Sequence, residues 1–111
     1  MVEVMKMSIL YTSKTNTKPV SLELDDHDAK VKINGKDCEL TRQEYSLLRM
    51  LMQHCNVPVS RNELLITAWG YVTPGITRTV DVHIQRLRRK LGAGCIETVY
   101  RQGYKLLASP A

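Results

Sequence analysis

Arg78, Val82, Gln85, Arg86 and Arg89 fall on one side of a helical projection of residues 78–91, at about 100° per residue. Arginine can donate two hydrogen bonds to O6 and N7 of guanine, and glutamine can pair in the same way with adenine. A small aliphatic side chain can cover the thymine methyl group, and an α-helix fits a major groove about 12 Å wide. A merely solvated helix mixes its charges, with acids four residues ahead of bases. This face instead sets a valine among cations. Asp81 and Arg88 flank it on one edge, His83 and Lys90 on the other. Two blander readings stand beside this one: a solvated basic helix, or Val82 packed beneath a neighbouring hairpin.

Catalytic chemistry finds no comparable pattern. His27, His54 and His83 fall in a turn, at a helix end and on a helix flank, none beside a nucleophile motif. Neither a nucleophile elbow nor a glycine-rich phosphate loop occurs. Asp25, Asp26 and Asp28 lack the spacing and closing glutamate of a calcium loop. Cys38, Cys55 and Cys95 are odd in number and far apart, with no C-x-x-C pair, which argues against a disulfide framework or a zinc site. The expectation is a protein that is not an enzyme, with no cofactor and no metal.

Those outward side chains need a helix with a buried back, and the sequence supplies one. Val80, Ile84, Leu87 and Leu91 recur at i, i+4, i+7 and i+11 and form a single apolar stripe, with Gly92 as the stop. Two capping boxes precede it. Thr41-Arg-Gln-Glu44 opens a helix over about 42–54 with Tyr45, Leu48, Leu51, Met52 and Cys55 on one face. Ser60-Arg-Asn-Glu63 opens a second, carrying Leu64, Leu65, Ala68 and Trp69 and ending at Gly70. Residues 70–76, with Pro74-Gly75, read as a loop.

Before residue 41 the period is two. Val20-Ser-Leu-Glu-Leu24 and Ala29-Lys-Val-Lys-Ile33 alternate as strands, Asn34-Gly35 marks a tight hairpin, and Cys38-Glu-Leu40 is read as the returning strand. Residues 5–12 are read as a further strand. After the third helix, 95–100 and 104–107 are β-prone runs around Gly103, a hairpin with Arg101 at its tip between Tyr100 and Tyr104. Arg101 there can reach a phosphate or the minor groove. The organisation expected is an N-terminal segment over 1–17 and one domain over 18–108.

Size and charge narrow the partner. A chain of 111 residues holds one domain, and 43% hydrophobic with 24% charged residues excludes a disordered tail. The longest apolar runs fall far short of the ~18–20 residues of a bilayer span. Glu3 and Lys6 interrupt the N-terminus, so a secretory signal is not expected and a reducing cytoplasm is. From Ser21 to Leu40 six acids face three lysines, a balance of −3; from Arg78 to Lys105 seven bases face two acids, a balance of +5. The C-terminal part is built for an anionic partner.

Leu40-Thr-Arg-Gln-Glu-Tyr-Ser-Leu-Leu48, Ser60-Arg-Asn-Glu-Leu-Leu65, Ala68-Trp-Gly70 and the whole of 78–91 together resemble the OmpR/PhoB winged-helix effector domain of bacterial two-component response regulators. Ile96-Glu-Thr-Val99 and Gly103-Tyr-Lys-Leu106 extend the resemblance over about residues 20–107. It implies an α+β winged helix-turn-helix fold: an N-terminal antiparallel β-sheet, three helices and a C-terminal hairpin wing. It also implies a sequence-specific double-stranded DNA-binding regulator of transcription. The third helix becomes the recognition helix, with Asp81, Val82 and Arg86 toward bases. Arg78, Thr79, His83, Gln85 and Arg88 then meet phosphates or the groove edge, and Trp69, Thr98 and Tyr104 the backbone. The 70–76 loop is implied to approach RNA polymerase, and binding to direct-repeat half-sites as a head-to-tail homodimer follows from the same resemblance.

One stretch departs from the family pattern. The wing usually reads Val-Arg-Gly-x-Gly-Tyr, whereas here it reads Val99-Tyr-Arg-Gln-Gly-Tyr104. Successive strand residues face opposite sides, so Tyr100 takes the usual arginine direction unless the turn rearranges. A chain of this length has no room for a receiver domain as well. The alternative function is a winged-helix interaction module that grips an acidic protein. Single-strand binding through Tyr100 and Tyr104 is disfavoured by one Trp, five Tyr and no Phe, too few rings for a stacking platform.

Overall fold

The computed structural model describes residues 6–11, 20–25, 30–70, 77–92, 94–107 and 109–110, the first and last of these and residue 20 by backbone alone. Strands β1 (Lys6–Tyr11), β2 (Val20–Asp25), β3 (Lys30–Ile33) and β4 (Lys36–Cys38) form an antiparallel sheet. The short strand β7 (Ser109–Pro110) pairs with the outer side of β1, giving the order β4-β3-β2-β1-β7. Strands β5 (Ile96–Val99) and β6 (Gly103–Leu106) make a separate hairpin. Between sheet and hairpin run α1 (Arg42–Gln53), α2 (Arg61–Trp69) and α3 (Arg78–Leu91). This is the expected α+β arrangement. The Asp26-His27-Asp28 turn and residues 71–76 of the loop after Gly70 lie outside the described residues.

The period-two pattern puts Leu22, Leu24 and Val31 into the core while Glu23, Lys30 and Lys32 stay exposed. Asn34 and Gly35 both adopt positive φ, 53° and 81°, and close a two-residue hairpin in which Ile33 faces Lys36. The turn is that tight, so β4 begins at Lys36 and ends at Cys38; the expected strand over 38–40 starts two residues early instead. The segment read as a strand over 5–12 is β1, and it joins the same sheet through β2.

Both helix starts form through their caps. Thr41 Oγ1 accepts from the Glu44 amide at 3.2 Å while the Thr41 amide donates to Glu44 Oε1 at 2.8 Å. Ser60 Oγ accepts from the Glu63 amide at 3.1 Å, and α2 ends on Gly70 with φ 79°. The apolar stripe of α3 is buried throughout, Val80, Ile84, Leu87 and Leu91, against Leu47, Leu48, Leu51, Leu64 and Leu65 of the common core. Each such side chain contributes roughly 1.5–3 kcal/mol by leaving water. That burial decides which side of α3 faces outward.

A second tie fixes the far end of α3. Lys90 Nζ donates to Glu44 Oε1 at 2.7 Å and to the Glu39 carbonyl at 3.0 Å, joining the last turn of α3 to the first turn of α1. Glu44 is only 1% exposed, and its Oε2 is buried with no partner among the described residues. Burial pushes the Glu44 carboxyl up, but hydrogen bonds from Lys90 and the Thr41 amide and the Lys90 charge outweigh it, leaving the group below its ordinary value of 4.5. A depressed carboxyl stabilises the fold above its unfolded value, and that contribution is lost as pH falls through the folded one. Lys90→Met is therefore expected to cost about 1–3 kcal/mol at neutral pH, less than a fully buried pair because the lysine is part-exposed. The gap between variant and wild-type urea midpoints should close as the pH is lowered through the carboxylate range. A gap that is constant with pH would remove the ion pair from the explanation.

Candidate nucleic-acid interface

With its stripe buried, α3 presents Arg78, Val82, Gln85, Arg86 and Arg89 to solvent. Val82 is 45% exposed, so it does not pack beneath the hairpin, and the cations around it stand clear of the core. Asp81 in the first turn and Arg88, Arg89 and Lys90 in the last also complement the helix dipole. The outward face is therefore open and cationic, with one apolar contact at its centre.

The flanking residues are more constrained. Asp81, expected toward bases, turns its carboxylate inward: Oδ1 accepts from Arg61 Nε at 2.8 Å and from the Tyr104 hydroxyl at 2.5 Å. Tyr104, expected at the backbone of a nucleic acid, is only 3% exposed. Its hydroxyl pKa is raised by burial and by the Asp81 hydrogen bond, and the Arg61 guanidinium is raised chiefly by its bond to Asp81. Arg88 gives three N–H donors to β5, Nε and Nη2 to the Ile96 carbonyl at 3.1 and 2.9 Å and Nη2 to Thr98 Oγ1 at 2.8 Å. Thr98 is exposed on β5, but its oxygen already serves Arg88. Thr79 and His83 are half-buried, and His83 Nδ1 donates to the Thr79 carbonyl at 2.8 Å. The half-buried Trp69 ring meets His83 edge-on at 4.8 Å and 81°, pinning the end of α2 to α3.

Sequence reasoning missed Arg61. Its place one residue after the Ser60 cap is a helix-start position like any other, and its partners lie 20 and more residues away, so nothing local marks it. Tyr100 is the other omission from the expected contact residues: it is 78% exposed at the hairpin tip, with the Arg101 guanidinium 5.1 Å from its ring centroid.

The tip explains the departure in the wing motif. Gln102 donates its amide to the Val99 carbonyl at 2.9 Å, and Arg101, third in that turn, has φ 61°. Positive φ at that position ordinarily selects glycine or asparagine. Arg101 thus occupies the place of the family glycine and accepts its backbone conformation, which costs roughly 1–2 kcal/mol. Gly103 is a different case: a Cβ there would lie 2.0 Å from the Val59 carbonyl oxygen, and its φ is 118°. The two positions should respond oppositely. Arg101→Gly is expected to raise stability by about 0.5–1 kcal/mol, and Gly103→Ala to lower it by about 2–4 kcal/mol. Thermal unfolding of both variants measures this, and a destabilised Arg101→Gly would show that the arginine side chain outweighs its backbone.

Residues 35–106 match the family described as "Transcriptional regulatory protein, C terminal". The chain belongs to that family, in its OmpR/PhoB winged-helix form. It is 42% identical over 90 residues to the transcriptional regulatory protein CseB of Streptomyces avermitilis, covering 78% of this chain and 37% of that protein. It is 41% identical over 88 residues to VxrB of Vibrio cholerae, covering 79% and 36%. The chain thus spans little more than a third of the length of these relatives. Among solved structures, the DNA-binding domain of CpxR from E. coli superposes with a TM-score of 0.73 at 33% identity, over 81% of this chain and 92% of that one. The DNA-binding domain of RstA from Klebsiella pneumoniae, solved in complex with the RstA box, gives 0.71 at 31% identity over 78% and 90%. These matches establish the winged-helix fold. They also place the chain in a family of transcription regulators rather than enzymes. No helix among the described residues is long and apolar enough to cross a membrane.

Proposed function

We propose that this chain is a sequence-specific double-stranded DNA-binding transcriptional regulator, with α3 lying in the major groove. The observation that carries this reading is the outward face of α3, where 45%-exposed Val82 sits among exposed Gln85, Arg86 and Arg89. An apolar residue at the centre of a cationic face is poorly suited to water and well suited to the edge of a base pair. Relatives solved as DNA complexes, RstA with its box and AdeR with an intercistronic region, add to it. Val82, Gln85 and Arg86 are the base-reading set in this proposal. Arg78, Arg89 and the tip residue Arg101 hold phosphates, with Thr79, His83, Trp69 and Thr98 at the groove edge. Arg88 retains its remaining donors for phosphate, whereas Asp81 and Tyr104 act through Arg61 and the hairpin.

The wider assignment follows the same reading. The effector unit is residues 18–108, acting in the cytoplasm without membrane, metal or cofactor and controlled through a two-component system. Head-to-tail homodimers on direct-repeat half-sites, as the OmpR/PhoB resemblance implies, belong to the same proposal. Residues 70–76 are the proposed approach for RNA polymerase.

Selecting duplexes from a random pool and titrating the winner at several salt concentrations tests the function. Log K should fall steeply with log salt, by about 0.9 per phosphate neutralised. Arg86→Ala is expected to cost roughly 1–3 kcal/mol on the selected site and to relax specificity there, while Arg89→Ala weakens all sequences alike and lowers the salt slope by about one. Equal losses on selected and random DNA for Arg86→Ala would remove its base contact. Failure to enrich any duplex, with binding to an acidic protein instead, would favour the interaction-module alternative.

A further inference from the structure

Three separate elements converge on Tyr104. Its main chain bonds Val59 in both directions, amide to Val59 carbonyl at 3.0 Å and Val59 amide to its own carbonyl at 2.8 Å, which ties β6 to the segment leading into α2. Its hydroxyl donates to Asp81 in the first turn of α3, and Asp81 in turn holds Arg61 in the first turn of α2. The guanidiniums of Arg61 and Arg88 each lie 5.4 Å from its ring centroid. Arg88, seven residues along α3 from Asp81, carries the same linkage to β5 through Ile96 and Thr98. The hairpin is therefore fastened to α3 at two levels of the helix, and its tip, Tyr100 to Gln102, projects beyond the fastening.

The energetics of this assembly do not match a purely stabilising role. The Arg61 and Asp81 side chains are 39% and 37% exposed, and pairs of that exposure contribute little to folding. What a directional polar bond adds over apolar packing is a fixed angle. The outward residues of α3 and the exposed Arg101 can meet one ligand together only at a particular angle between helix and hairpin. A preformed angle also spares the ordering cost that a loose hairpin would incur on binding.

We propose that the Tyr104 hydroxyl, Asp81 and Arg61 form a clamp that holds the wing at a fixed angle to α3, so that helix and wing engage a duplex as one rigid body. Asp81, Arg61 and Tyr104 are then positioning residues that touch no base. This rests on the DNA-binding reading above, and its test keeps the two apart. The duplex affinity of the full chain is measured for wild type, Arg101→Ala, Tyr104→Phe and the double variant, and amide hydrogen exchange is followed in the absence of DNA. Tyr104→Phe keeps the ring and its packing and removes only the hydroxyl.

Arg101→Ala in the wild-type background should weaken binding roughly fivefold to tenfold and lower the salt slope by about one. In the Tyr104→Phe background the same change should cost less than about twofold, because an unclamped wing no longer delivers its tip. Without DNA, exchange at the amides of Gln102 and Tyr104 should quicken in Tyr104→Phe while the α1 amides are unaltered. Equal losses for Arg101→Ala in both backgrounds, or no loss in wild type, overturn the clamp's role in binding. Unaltered exchange at the hairpin overturns the clamp itself, whether or not DNA binds. A wild-type chain that binds no duplex, with quickened hairpin exchange in Tyr104→Phe, would overturn the DNA reading and retain the clamp as a mechanical link.

Discussion

Burial of one stripe of α3 is the constraint from which the rest of the molecule follows. Val80, Ile84, Leu87 and Leu91 leave water together, and a rigid helix with its back fixed has no choice about its front. The remaining side chains are thereby sorted by angle alone: Val82, Gln85, Arg86 and Arg89 outward, Asp81 and Arg88 toward the hairpin, His83 toward Trp69, and Lys90 toward α1. Each flank meets a different element. α1 and α2 supply the apolar bed, the sheet of β1–β4 closes the core through Leu22, Leu24 and Val31, and the β5–β6 hairpin lies beside the helix it steadies.

Charge on α3 consequently has two separate duties. On the flanks it is turned to internal ties: Asp81 pairs with Arg61 and Lys90 with Glu44, while Arg88 gives three N–H donors to Ile96 and Thr98. On the front face charge stays solvated, where it is screened and adds little to folding. The protein therefore does not owe its stability to the cations that distinguish its function, which leaves those positions free to differ without unfolding the domain. Sequence counts alone merge the two kinds of arginine. Their burial and their partners separate them.

What could be read from the chain was whatever is decided within a few residues. The Thr41 capping box, the Asn34-Gly35 turn, the αL stop at Gly70 and the α3 stripe all depend on spacings of four residues or on a short periodicity. The short strand β4 begins two residues before the stretch its sequence suggests, because three residues carry no period of their own. Ties between elements were illegible. Asp81 to Tyr104 spans 23 positions and Lys90 to Glu44 spans 46, and nothing in the spelling of Glu44 distinguishes a capping residue from one that is also the buried half of an ion pair. Asp81 illustrates the cost: the helical wheel sets it on the flank, the family resemblance implies that it faces bases, and only Arg61 on α2 and the hydroxyl of Tyr104 on β6 show where its carboxylate turns.

The hairpin tip shows how a local cost is carried by structure at a distance. An L-residue at φ 61° persists when its surroundings leave the turn no other course. Here they do. Gly103 can approach Val59 only because it lacks a Cβ, and Tyr104 is bound beyond it through main chain and hydroxyl together, so the β5–β6 register has nowhere to slip. With Val99 and Gly103 held opposite one another, three residues must close the loop, and the Gln102 amide to Val99 carbonyl bond fixes the positive φ on the middle one. Placing arginine there sets a cation at the furthest point of the molecule's hairpin, with Tyr100 stacked beside it. A glycine would relax the turn but carry no charge to that point, so the backbone strain at Arg101 is best understood as the cost of where its guanidinium stands.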